Sequence, residues 1–127
     1  MKLSIIIVVF TMCFAGIAYA SEGTATFYNR PYTPSACFGY EDHGPLVAGV
    51  SNELWNNGEA CGRTIGVMCT GATNLAPQSC IEGTDIAVVV EITDHCPKCS
   101  STINLSEDAF SVIANPDAGR IWIEYDE

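Results

Sequence analysis

Six cysteines constrain this chain more than any other feature. The sequence holds seven, but the first, Cys13, lies in an N-terminal stretch unlike the rest. Lys2 supplies one positive charge, LSIIIVVFTMCFAGIA then runs almost without polarity, and the stretch ends at Ala18-Tyr19-Ala20, the small-x-small pattern that a signal peptidase accepts. The apolar run is too short for a membrane span, and no stop-transfer pattern follows. Residues 1–20 therefore read as a secretory signal peptide, with Ser21 the expected mature start. Cys37, Cys61, Cys69, Cys80, Cys96 and Cys99 remain, an even set in an oxidising compartment. Disulfides are the default there, and spacing alone leaves their pairing open.

A mature chain over residues 21–127 is long enough for one domain and too short for two. Without Lys2, four basic residues face fifteen acidic ones, a net charge of −11. Such a chain is repelled by nucleic acid and by anionic membrane surfaces, and it is well solvated in an extracellular fluid.

Glycine and proline divide the mature sequence into short pieces, the punctuation of an all-β domain with little helix. GTATFYN (23–29) sets Ala25 and Phe27 against Thr24, Thr26 and Tyr28, the alternation of a half-buried strand. PLVAGV (45–50), TIGVMCT (64–70) and TDIAVVVEITD (84–94) follow, and the unbroken Val88-Val89-Val90 predicts a strand covered on both faces. RIWIEYDE (120–127) places Ile121, Ile123 and Tyr125 on one face and Trp122 on the other. Two short helices are predicted. Ser51 caps NELWNN, with Asn57-Gly58 ending it, and Trp55 reads as core. Ser106 caps EDAFSVIA: Glu107 and Asp108 complement the helix dipole, Asn115-Pro116 stops the helix, and Phe110 and Ile113 share its buried stripe. This pattern suits a small closed barrel.

TATFYN, SACFGYED, LWNNGEACGR, CTGATN, VEITDHCP and TINLSEDAFSVIANPDAGRIWIEY occur in the order of one family. Over residues 23–127 the chain resembles the plant natriuretic peptide-like proteins, single-domain relatives of the expansin N-terminal domain and of family 45 endoglucanases. The resemblance implies an all-β fold, a six-stranded double-psi β-barrel with one or two short helices. It also implies the pairs Cys37–Cys61 and Cys69–Cys80, leaving Cys96 with Cys99. Expansins carry a further cysteine near the position of Thr64, so other pairings stay open.

Glycoside hydrolysis ordinarily takes two carboxyl groups, an acid for the leaving oxygen and a base or nucleophile. In the family 45 enzymes the acid lies in a strand that matches Ile103-Asn104-Leu105-Ser106, and an amide at Asn104 has no proton to give. The enzymes' base follows the tyrosine matching Tyr28, where this chain has Asn29 and Arg30. Asp94 matches a second acidic groove residue of expansins, able to bond a sugar or to hold Thr26 or Tyr28. Its structural alternative is a turn former at a strand end, bonded to backbone N–H groups. Thr26, Tyr28, Asp94 and Asn104 are the groove candidates, and no catalytic residue is assigned. Expansins add a second domain whose aromatics stack on cellulose; no counterpart is expected here, although Trp122 is a candidate stacking platform and otherwise covers a loop or helix.

Cys96-Pro97-Lys98-Cys99 has the spacing of a redox motif, but it follows a strand rather than opening a helix. Zinc would need His95 and the distant His43 as added ligands. A local structural disulfide fits the compartment better, and no metal or cofactor is expected. Asn104-Leu105-Ser106 is the chain's N-x-S sequon, so Asn104 is a candidate glycosylation site whose glycan would lie across the groove.

The resemblance implies a secreted, non-catalytic, apoplastic protein that signals in water and solute homeostasis or stress, without wall-loosening activity. In relatives the hormone-like activity is attributed to the segment matching Pro31 to about Arg63, where a Cys37–Cys61 bond would hold a recognition loop in shape. A cell-surface receptor is the expected partner and a monomer the expected form. The alternatives are a wall-polysaccharide-binding defence protein of the barwin-like kind, and a residual glucan-active enzyme.

Overall fold

A computed structural model describes residues 20–74, 79–81 and 86–126. The signal-peptide reading of residues 1–20 falls, except for Ala20, outside the described residues. Six strands form one closed barrel: β1 (Ser21–Tyr28), β2 (Val47–Val50), β3 (Thr64–Ala72), β4 (Ala87–His95), β5 (Ile103–Ser106) and β6 (Ile121–Asp126). Their order around the barrel is β1-β5-β2-β4-β3-β6. β1–β5 and β2–β4 run parallel, and the other four neighbouring pairs run antiparallel. Closure leaves no free sheet edge.

Alternation fills the barrel. Ala25, Val50, Ile65, Val67, Val88, Val90, Ile103, Leu105, Ile121 and Ile123 form its buried interior. Val89 corrects the reading of β4: it is 61% exposed while Val88 and Val90 are buried. The three-valine run predicted cover on both faces. In this barrel the outer face of β4 at Val89 meets solvent, so burial returns to a period of two.

Helix α1 (Asn52–Trp55) leads into a 3₁₀ turn (Asn56–Gly58). Ser51 has extended backbone angles at its N-cap but makes no side-chain capping bond. The helix is shorter than predicted because Asn56 and Asn57 both take positive φ, which asparagine tolerates better than most residues. Helix α2 (Glu107–Ile113) keeps its predicted cap, with Ser106 Oγ accepting from Ala109 N at 3.2 Å. Ala109, Phe110 and Ile113 face inward, and the Phe110 ring lies 4.9 Å from that of Phe27 on β1. Helix α2 therefore packs against the barrel through its apolar stripe.

The structure joins Cys37 to Cys61, Cys69 to Cys80 and Cys96 to Cys99. The first ties the β1–β2 connection to the turn before β3. The second carries the end of β3 to the Cys80–Ala114 bridge beside α2. The third closes a short turn after β4. Among the described residues no helix is long and apolar enough to cross a membrane.

Candidate functional site

Strand register brings the groove candidates into one row. Thr26 on β1 pairs with Asn104 on β5, Asn104 with Gly49 on β2, and Gly49 with Asp94 on β4. Asp94 reaches this row through a register shift. Ala48 pairs with Ile92 and the next residue, Gly49, pairs with Asp94, so Thr93 is passed over. Strict alternation from the buried Ile92 would turn Asp94 inward. The bulged residue reverses the parity and puts the carboxylate on the outer face with Asn104. Gly49 is buried between Asn104 and Asp94 and adds no side chain to the row. A Cβ built there would come to 3.5 Å of the Asp94 backbone and Cβ.

Hydrogen bonds fix both ends of the row. Thr26 Oγ1 donates to Asn104 Oδ1 at 3.0 Å and shares a 2.7 Å bond with the Ser101 hydroxyl. Asn104 Nδ2 points at Cys96 Sγ, 3.9 Å away. Asp94 Oδ1 accepts from the backbone N–H groups of Ala36 and His95, both at 3.0 Å. Asp94 thus holds the β1–β2 connection, while Thr26 is held by Asn104 and Ser101.

Tyr28 lies two residues beyond Thr26 on β1. Burial raises its pKa to about 12, and the Asp94 charge adds to the rise, while the neighbouring Thr93 hydroxyl opposes it. The Tyr28 and Thr93 hydroxyl oxygens are nevertheless both buried without a hydrogen bond of good geometry. Tyr28 packs edge-on against Tyr32, with ring centroids 5.3 Å apart. Tyr32 donates to Asp108 Oδ2 at 2.7 Å, and Arg30 pairs with the same oxygen at 2.8 Å. The Tyr32 bond foremost, and then Arg30, hold the Asp108 carboxyl below its ordinary range. Asn29 and Arg30 are the residues expected where the enzymes' base would fall, and Arg30 is engaged in this ion pair. An open depression of about 550 Å³ lies beside it, lined by Arg30, Pro31, Tyr32, Thr33, Asp42, Gly44 and Pro45.

Two aromatic–histidine pairs were not singled out from sequence. Trp55 is half-buried and lies flat on His95, with centroids 4.6 Å apart, and His95 Nε2 meets Asn52 Oδ1 at 2.6 Å. This makes α1 the border of the row next to Asp94. His43 stacks on Phe38 and lies between Glu41 and Glu91. The polar partners that complete them are distant in sequence: Asn52 and His95 are 43 residues apart, and His43 and Glu91 are 48 apart.

The row carries one carboxylate, Asp94, and the Asn104 amide. Among the described residues no three His, Cys, Asp or Glu side chains are placed to share a metal ion. His43 and His95 take other partners. Trp122 stands 51% exposed on the barrel exterior, between Thr24 and Gly71 by register. The sequon lies within β5. Ser106 is fully buried, and its hydroxyl donates to Pro45 O at 2.6 Å.

Six strands closed in this order, with two parallel pairs and a polar row across four of them, define a double-psi β-barrel. A family profile described as lytic transglycolase matches residues 47–125. The chain is 54% identical to an EG45-like domain containing protein of Citrus jambhiri, over 87% of this chain and 83% of that one. It is 46% identical to EG45-like domain containing protein 2 of Arabidopsis thaliana, over 98% and 93%. The chain belongs to the EG45-like domain family of expansin-like proteins. Among solved structures it is similar to a point mutant of Clavibacter michiganensis expansin in complex with cellohexaose, with TM-score 0.61 and 26% identity over 84% of this chain. The match covers 49% of that expansin, so this chain spans about half its length.

Proposed function

We propose that this protein is a secreted, non-catalytic binder of β-1,4-linked wall polysaccharide, which lies across the row Thr26–Asn104–Gly49–Asp94. The observation that carries the reading is the row itself. A hydroxyl, an amide held in orientation and a carboxylate, aligned across the strands, offer fixed donors and acceptors to sugar hydroxyls. The cellohexaose complex of the bacterial expansin supports a glucan as the ligand class. A single carboxylate opposite an amide lacks the pair that two-carboxylate hydrolysis uses, which supports binding without hydrolysis. Retention on cellulose, xylan and chitin tests the reading. Saturable retention on a β-1,4-glucan is expected. Truncation at Asp94→Ala should weaken it about tenfold or more, the scale of a hydrogen bond to a charged group. No saturable retention on any of the three would overturn it.

A second reading, recognition by a cell-surface receptor in water and solute homeostasis or stress signalling, has its own observation. The β1–β2 connection displays Tyr40 at 81% exposure, next to the Cys37–Cys61 bond and the paired backbones of Ser35 and Gly39. An exposed tyrosine is a common anchor of protein recognition. Loss of a cell-swelling response in Tyr40→Ser, with glucan retention unchanged, would favour this reading. An unchanged response would count against it.

A further inference from the structure

His43 lies in the connection between β1 and β2, and both of its ring nitrogens meet carboxylates. Nδ1 is 2.9 Å from Glu91 Oε1 on β4, and Nε2 is 2.8 Å from Glu41 Oε1 on its own loop. The ring lies almost flat on Phe38, with centroids 3.9 Å apart. The His43 and Glu91 side chains are 18% and 27% exposed, so the inner pair is partly shielded, whereas Glu41 is 70% exposed. A carboxylate only accepts, and a neutral imidazole donates from one nitrogen while the other presents a lone pair. The geometry is therefore satisfied on both sides only by the imidazolium. Once neutral, the ring must set a lone pair against one of the two carboxylates.

The attachment matters because little else ties this stretch down. On one side Cys37 N donates to Thr93 O at 3.0 Å, and the Cys37–Cys61 bond adds a covalent link. On the other, Glu91 N donates to Leu46 O at 3.1 Å. The described hydrogen bonds of residues 38–45 otherwise stay local, such as Glu41 N to Phe38 O and Gly44 N to Asp42 Oδ1, except at His43 and where Pro45 O accepts from Ser106. Glu91 from β4 and Glu41 from the loop are the charged groups acting on His43, and Gly62 from the turn before β3 approaches Phe38 and Glu91.

We propose that His43 is a proton-operated clasp. As imidazolium it bonds both Glu91 on β4 and Glu41, and on losing its proton it keeps a donor for only one of them, so its hold on residues 38–45 loosens and the depression lined by Asp42, Gly44, Arg30 and Tyr32 is reshaped. The bond to Glu91 foremost, and that to Glu41, raise the His43 pKa above its ordinary value of 6.5. A folded value above the unfolded one means that the clasp's contribution is complete below pH about 6.5. It is lost as pH rises through the raised value. The clasp thus stays closed in acid fluid and opens toward the alkaline side of neutrality.

Amide hydrogen exchange, corrected for the intrinsic rate at each pH and read by NMR on the secreted chain at about pH 5.5 and about pH 8.5, tests this across the ordinary histidine value. Opening of residues 38–45 should rise roughly twofold to fivefold between the two conditions, the scale of one partly exposed charge pair, while β4 and α2 stay unchanged. His43→Gln keeps the bulk and one amide donor and should open equally at both pH values. Glu91→Gln should lower the His43 imidazole titration. Equal opening at both pH values in the native chain, the same pH dependence in His43→Gln, or an unmoved imidazole titration in Glu91→Gln would each overturn the clasp.

Discussion

Thr26→Val isolates the hydrogen bonds at one end of the row. Valine keeps the β-branched shape that suits β1, so the change removes a hydroxyl and little packing. That hydroxyl serves Asn104 Oδ1 at 3.0 Å and Ser101 Oγ at 2.7 Å, and Ser101 is only 5% exposed. Each neutral bond is worth about 1 kcal/mol net, and a buried hydroxyl left unpaired costs about 1–3 kcal/mol, so the substitution should destabilise by about 2–3 kcal/mol. In a domain of this size that corresponds to a Tm lower by roughly 10–20 °C. Denaturant unfolding should show a lower midpoint at unchanged slope. Thr26→Ser, which restores the hydroxyl, should recover most of the loss. The variant should also bind cello-oligosaccharides less tightly, because Asn104 loses the partner that orients its amide. A Thr26→Val chain within about 0.5 kcal/mol of native stability would refute the assignment of these bonds, since that is the range of an ordinary surface substitution.

Tyr28 should ionise only at about 12 when phenolate absorbance is followed during alkaline titration. Its raised folded value makes stability decline as pH rises from about 10 through that value, and Asp94→Asn should lower the Tyr28 pKa by removing a neighbouring charge. Asp108 contributes stability above the ordinary carboxylate range and loses it as pH falls through its lowered folded value. Tyr32→Phe removes the largest cause of that lowering, so the Asp108 carboxyl titration seen by NMR should move up. Phe110→Ala empties a fully buried site against Phe27 and should cost about 3–5 kcal/mol in the same denaturant assay.

Local chemistry was legible in the sequence where one element carried it. Alternation in 120–127 announced Ile121 and Ile123 inside and Trp122 outside. Ser106 followed by Glu107 and Asp108 announced the cap of α2. The Val88–Val90 run misled because apolar content does not reveal whether a second layer covers the outer face. The α1 helix ended early because consecutive asparagines adopted left-handed angles that their identity permits but does not require. The groove residues were nameable by resemblance, but their alignment was not. It depends on the register shift that passes over Thr93, and that shift arises from pairing with β2, more than forty residues earlier in the chain. For the same reason Ser101 as the partner of Thr26 and Glu91 as the partner of His43 emerged only with the fold.

The claim that the row binds a glucan without cutting it is tested most directly by titrating cellohexaose into the isotope-labelled chain while tracking backbone amides and the Asn104 side-chain amide by NMR. Saturable shifts centred on Thr26, Gly49, Asp94 and Asn104, with the hexasaccharide recovered intact, are the predicted result. Shifts confined to other surfaces, or the release of shorter sugars, would contradict it.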